Sequence, residues 1–270
     1  MLEEITSRYF TDFNGRFKAR LAAVTPAFMP VATHELTGIS ARYECRIKVE
    51  YHKDAMGLIE EGMLIAVRNF KSNSKDHRYS LMVISRVWPE HYGLKGLSEH
   101  SYYPMQFEII QQSVKDWGTS DKSTMMVQIS ALPINYDLIL NDSAEPKYEK
   151  GFTYPVIAAE AQILSRDMIS HMYNQRILAK LGFNPKTTTS DAYKDPRIGT
   201  IQMFESMEEK IPIYLDFEAM VRYHFGIFAF TGAGKSNLLS NVLRRLLIHQ
   251  PEVKVIVFDI SSEYPFLLMD

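Results

Sequence analysis

The sequence predicts an α/β nucleotide-binding fold at the C-terminal end of the chain, preceded by a small antiparallel β-barrel and a helical insertion. Three observations predict it. A glycine-rich loop ending in Lys-Ser lies at residues 229–236, strand-like and helix-like patterns flank that loop, and short alternating runs fill the first half of the chain.

In chain order, residues 44–50, 63–69, 79–87, 106–112 and 124–132 are short β-branched or alternating runs. Turn formers such as Lys71-Ser72-Asn73-Ser74 separate them. Several short strands at this spacing argue for a small antiparallel barrel or sandwich, and residues 1–150 are assigned to it. From 156 to 181 the period changes. Ile157, Ala161, Ile163, Leu164, Met168, Ile169, Met172, Ile177, Leu178 and Leu181 recur mostly at three- and four-residue steps, with Gly182 as a stop. This predicts one long helix over 156–181, or two broken near Asn174. Residues 184–197, with Pro185, three threonines and Pro196, read as linker. The second domain therefore begins between Gly182 and Ile198, with residues 198–270 assigned to it and 151–197 to the helical segment and linker. Residues 198–204 and 211–215 are short strands leading into it.

The loop Ala229-Phe230-Thr231-Gly232-Ala233-Gly234-Lys235-Ser236 is the strongest signal. A glycine-rich turn between strand and helix aims backbone N–H groups at phosphate oxygens, at the positive end of the helix dipole. In that geometry Lys235 reaches the β- and γ-phosphates, and the Ser236 hydroxyl ligates Mg²⁺. Ala229 stands where the strict pattern has its first glycine. The position asks for a small residue ending a strand more than for a positive φ. Residues 224–230 form an apolar run without helical periodicity, as in a strand buried on both faces. After the loop, Leu238, Leu239, Val242, Leu243, Leu246 and Leu247 make one apolar helical face, Pro251 closes the helix, and 253–258 is a second apolar strand ending in Asp259. Together these make a right-handed βαβ unit.

With 46% hydrophobic and 23% charged residues among 270, the composition is that of one large or two medium globular domains. A net charge of −2 gives no basic footprint across the whole chain, so any nucleic-acid contact must be local. The single cysteine, Cys45, cannot form an intrachain disulfide and reads as a small buried hydrophobe in a reducing compartment. No apolar stretch approaches the ~18 residues of a membrane span, and Met1-Leu2-Glu3-Glu4 lacks the basic start of a signal peptide. A cytoplasmic protein with no membrane association is expected.

The order of these parts resembles the HerA family of ring-forming ATPases. The residues that carry the resemblance are Ile211-Pro212-Ile213-Tyr214-Leu215-Asp216, then His224-Phe225-Gly226, then the loop through Asn237, and finally 255–264 with Asp259 and Glu263-Tyr264. The resemblance implies a RecA-like P-loop NTPase domain behind a HAS-barrel-like domain. It also implies a homo-hexamer that uses ATP and Mg²⁺ to move double-stranded DNA through a central channel. The expected partner is a NurA-like nuclease or another effector, for example a sirtuin-like enzyme, in DNA end processing or antiviral defence. It makes Thr231, Gly232, Ala233, Gly234, Lys235, Ser236 and Asn237 the nucleotide-binding residues and Ser236 the metal ligand. Lys235 is a catalytic candidate, and so are Asp259 and Glu263, which lie at the carboxyl end of a strand where ligands bind in open α/β sheets, their plainer explanation being helix capping. Only 23 residues separate Lys235 from Asp259, whereas the family places its Walker B strand later. The Walker B pair, the arginine finger and the pore loops are therefore expected beyond Asp270, in a motor of which these residues are only the beginning. An alternative reading is an ATP-gated ring scaffold whose barrel recruits an effector without processive translocation.

Two further groups have bland explanations as well as functional ones. Trp88, His91, Tyr92, His100, Tyr102 and Tyr103 resemble a base-stacking platform, or pack barrel loops. Lys71, Lys75, His77 and Arg78 make a modest basic loop, most simply a solvated turn.

Overall fold

The computed structural model describes residues 8–26, 43–50, 52, 57–91, 108, 111, 125–141, 145–151, 153–185, 194–201, 203, 210–230, 232–260 and 262. They form two compact units, the first holding the described residues up to Met168 together with Met203, and the second the rest from Ile169 onward.

The first unit is a closed antiparallel barrel. Its strands are β1 (Phe10–Thr11), β2 (Ala19–Pro26), β3 (Tyr43–Glu50), β4 (Leu64–Arg68), β5 (His77–His91), β6 (Met125–Leu140), β7 (Lys147–Lys150) and β8 (Glu160–Leu164). Six of them close the ring in the order β8-β2-β3-β6-β5-β4, with β4 pairing back onto β8. β1 adds to β8, and β7 adds to β6. In β3 every second residue, Tyr43, Cys45, Ile47 and Val49, is buried, as the period-2 pleat requires of a strand with one face on the core. β5 and β6 run past their predicted ends and stay paired through most of their length. Register shifts at Ser80/Met82 and Ile84/Arg86 bend the pair around the barrel.

Two expectations are corrected here. Residues 156–181 are not one helix, because 160–164 form β8. The apolar residues Ala161, Ile163 and Leu164 suit either period over so short a run. The exposed edges of β2 and β4 decide between them, since a strand placed there satisfies backbone groups on both. The barrel thus extends beyond residue 150. Helix α1 (Arg166–Leu181) follows, capped by the Ser165 hydroxyl, which accepts the Met168 N–H at 3.2 Å. It ends at Gly182 with φ +61. It continues through Asn174, whose buried amide donates to Pro212 O at 2.8 Å. The second correction concerns 106–112, where the described residues Glu108 and Gln111 are helical rather than extended. The remainder of that run, with Tyr92, His100, Tyr102 and Tyr103, lies outside the described residues.

Cys45 is fully buried between Ile47 and Tyr43 on the inner face of β3, and burial pushes its thiol up to about 12. A thiolate is the reactive form. Native protein is therefore expected to resist a maleimide at pH 7 for hours and to label within minutes in denaturant. Mass spectrometry of the two samples checks this, and rapid native labelling would contradict the burial.

The second unit holds α1 from Ile169 onward and a two-stranded antiparallel sheet of β9 (Arg197–Ile201) and β10 (Ile211–Tyr214). It also holds α2 (Phe217–Arg222) and α3 (Lys235–His249). Phe217, Leu243 and Leu246 are its buried core, with Leu181, Leu215, Met220 and Leu239 packed against them. The predicted strands at 224–230 and 253–258 have no regular secondary structure, which corrects the βαβ reading. A central parallel strand derives its stability from ladders on both sides. Among the described residues neither segment has a ladder partner, and Phe228 and Phe258 are 95% and 92% exposed. No described helix is long and apolar enough to cross a membrane.

Candidate nucleotide-binding site

The loop before α3 is shaped by two glycines in the left-handed region, Gly232 at φ +85 and Gly234 at φ +81. An L side chain is strained there, so the glycines of the motif are required by the backbone. A turn closes from Ala233 N–H to Phe230 O at 3.1 Å, and the helix begins with Leu238 N–H donating to Gly234 O at 2.9 Å. Ala229 is not among the positive-φ residues, which agrees with a position that needs only a small side chain. It is exposed and does not end a strand.

At the head of α3 the N-cap is Gly234. Among the described residues no side chain caps the helix, and its first turn contains no acidic residue. The first N–H groups of any α-helix lack intrahelical acceptors and carry the positive end of the dipole. Lys235 is exposed in this first turn and Ser236 is half-buried. Asn237 is turned along the helix, where its carbonyl and its side-chain oxygen accept from the Asn241 amide at 3.0 and 3.3 Å. A helix whose first turn has no acidic residue, with an exposed ammonium and a hydroxyl on its first two residues, fits a triphosphate and its Mg²⁺. The structure thus brings Gly232, Ala233, Gly234, Lys235, Ser236 and Asn237 into one continuous turn. Thr231 and Glu263 lie outside the described residues. Asp259 is half-buried at the end of the irregular 253–258 stretch, so no strand terminus presents it.

The scaffold beneath α3 is narrower than the predicted six-residue face. Val242, Leu243, Leu246 and Ser240 are buried, whereas Leu238 and Leu247 are exposed. The last turn is held differently from the first. The His249 ring stacks on Phe217 at 5.2 Å between centroids with planes 6° apart, and Arg245 donates to Asp195 O at 3.0 Å. Burial is the main cause that lowers the His249 pKa.

Sequence reasoning did not single out α2 or its cap. Asp216 Oδ1 accepts the Ala219 N–H at 3.0 Å, and Lys180 Nζ lies 2.6 Å from Asp216 Oδ2. The signal was present in Leu215-Asp216-Phe217-Glu218, an N-cap residue ahead of a helical turn. The Lys180 hydrogen bond, followed by the Ala219 N–H, holds the Asp216 carboxyl below its ordinary range. A depressed carboxyl pKa contributes stability above the unfolded value of about 4, and that contribution is lost as pH falls through the folded value. Asp216→Ala is therefore expected to cost about 1 kcal/mol at pH 7 and progressively less below pH 4. Denaturation midpoints of both proteins across that range check it. A pH-independent difference would contradict the assignment.

Residues 197–268 match the family of the helicase HerA central domain. The resemblance read from the loop and from the segment after α3 thus has a family match across this stretch, and a domain of this type suggests a HerA/FtsK-like motor ATPase. Nucleotide binding, ATPase activity and the use of Mg²⁺ are the general properties of that family. No curated protein matches the chain.

Proposed function

We propose that this chain, whose residues 197–268 match the HerA central domain, belongs to an ATP-driven translocase of double-stranded DNA. In this reading the protein works as a cytoplasmic homo-hexamer with a nuclease or another effector enzyme, in DNA end processing or antiviral defence. The observation that carries it is the start of α3, where two left-handed glycines deliver Lys235 and Ser236 to a helix N-terminus that no described side chain caps. Lys235 is assigned to the β- and γ-phosphates, Ser236 to Mg²⁺, and Thr231 through Asn237 to the phosphate cradle. Asp259 and Glu263 are assigned to the γ-phosphate side. The bound group supplies phosphoryl-transfer chemistry, in which positioning and charge stabilisation supply nearly all of the catalysis.

A second reading makes ATP a ring-closing ligand for an effector scaffold. It draws on the barrel, a separate unit with its own core. ATP turnover by the full protein, measured with and without double-stranded DNA, separates the two. Translocation predicts stimulation of at least several-fold. Nucleotide-dependent assembly with turnover indifferent to DNA would favour the scaffold.

A further inference from the structure

At one end of the barrel, two aromatic rings are held outward beside a cluster of positive charge. Phe70, just after β4, is 71% exposed, and Tyr154 is 53% exposed. Apolar rings in water are unfavourable, yet the backbone here is pinned. The Phe70 N–H donates to Tyr154 O at 3.4 Å, Asn69 N–H to Arg78 O at 3.0 Å, and Val156 N–H to Arg68 O at 2.8 Å. Residues 153–156 therefore run alongside the end of β4, and the two aromatic residues leave neighbouring backbone positions. Tyr154 is backed by Tyr43, with ring centroids 4.8 Å apart and planes 29° apart. Tyr43 is itself buried and donates its hydroxyl to Thr153 O at 3.1 Å. One face of the Tyr154 ring is thus fixed from inside the barrel.

The hairpin tip beside these rings is equally fixed. Asn69 Oδ1 accepts Lys71 N–H at 3.1 Å, and Asn73 Oδ1 accepts Lys75 N–H at 2.9 Å and Asp76 N–H at 2.7 Å. Ser72 Oγ accepts from Arg68 Nε and from Arg78 N–H. Residues 68–78 contain Arg68, Lys71, Lys75 and Arg78 against one acidic residue, Asp76. Arg78 is paired with Glu149 at 2.7 Å, which leaves the exposed Arg68, Lys71 and Lys75 to set the sign of the tip.

Outward aromatic faces on a rigid backbone, interleaved with lysines, match the needs of a strand with exposed base faces and a charged backbone. A duplex hides its base faces, and an acidic peptide has none. We propose that Phe70 and Tyr154 are stacking platforms for single-stranded nucleic acid, with Lys71 and Lys75 as its phosphate contacts. The net charge of −2 for the whole chain is no obstacle, because the positive charge is local. The site lies in the barrel unit and is independent of the nucleotide-binding reading.

Anisotropy of fluorescein-labelled dT12 with the whole chain, without nucleotide and over a salt series, tests it. Phe70→Ala and Tyr154→Ala are each expected to weaken binding roughly tenfold, the scale of one lost stack. Lys71→Glu with Lys75→Glu lowers the slope of log affinity against log salt by about 1.4, at about 0.7 per phosphate contact. Phe70→Trp retains binding, and its indole emission is quenched on adding dT12, which reports stacking even if an alanine variant folds poorly. Lys235→Ala leaves dT12 affinity unchanged. The proposal is overturned if dT12 does not bind at low salt, if a 12-base-pair duplex binds as tightly, or if Phe70→Ala has no effect. Loss of binding in Lys235→Ala would move the contact to the other unit. Hexaglutamate binding with the same dependence on both rings would assign the surface to an acidic protein segment instead.

Discussion

Lys235→Ala is expected to weaken ATP binding or turnover by about 10² to 10³, the scale of removing one preorganised charge-stabilising donor from a polyanionic site. Lys235 is exposed at the first turn of α3 and has no part in the core of either unit. Its ammonium is therefore free to serve phosphate, and the substitution is expected to leave far-UV circular dichroism and the unfolding midpoint unchanged. Affinity for a fluorescent ATP analogue, measured beside the unfolding curve, reads both outcomes. Ser236→Ala is the companion experiment, because a hydroxyl that ligates Mg²⁺ contributes only when the metal is present. Its deficit should be larger with Mg²⁺ than with EDTA, and equal loss in both would remove Ser236 from the metal. Unaltered ATP affinity in Lys235→Ala would falsify the phosphate assignment itself.

Ile163→Ala is expected to destabilise the barrel strongly. Ile163 sits on β8 opposite Ile65 of β4, and both are fully buried where the ring closes. Removing that much buried hydrocarbon costs about 2–5 kcal/mol, against a typical total of about 5–15 kcal/mol for a domain. Ile157, which is mostly exposed a few residues upstream, supplies the contrast. Its alanine variant should stay within about 0.5 kcal/mol of the parent. Urea midpoints for the three proteins decide the matter. If the two variants proved equally stable, β8 would not be the strand that seals the barrel.

The sequence by itself determined the features whose physics is local. The phosphate loop was legible because Gly232 and Gly234 can adopt backbone angles that other residues avoid, and because Lys235-Ser236 opens an amphipathic helix. β3 was legible because its inward and outward residues alternate within eight positions. β9, β10 and the stop at Gly182 were legible for comparable reasons.

Only the tertiary structure decided what depends on partners far along the chain. Residues 160–164 carry too few apolar positions to distinguish a period of 2 from one of 3.6. They became β8 because β2 and β4, distant in sequence, each present an edge that needs hydrogen bonds. The pairing of Phe70 with Tyr154 joins positions 84 residues apart, so no local pattern reveals the exposed aromatic pair. The apolar runs at 224–230 and 253–258 look like buried strands in sequence but have no ladder among the described residues. Hydrophobicity records what a segment can bury, whereas a strand also needs neighbouring backbone to bond with, and that requirement is met or unmet only in three dimensions.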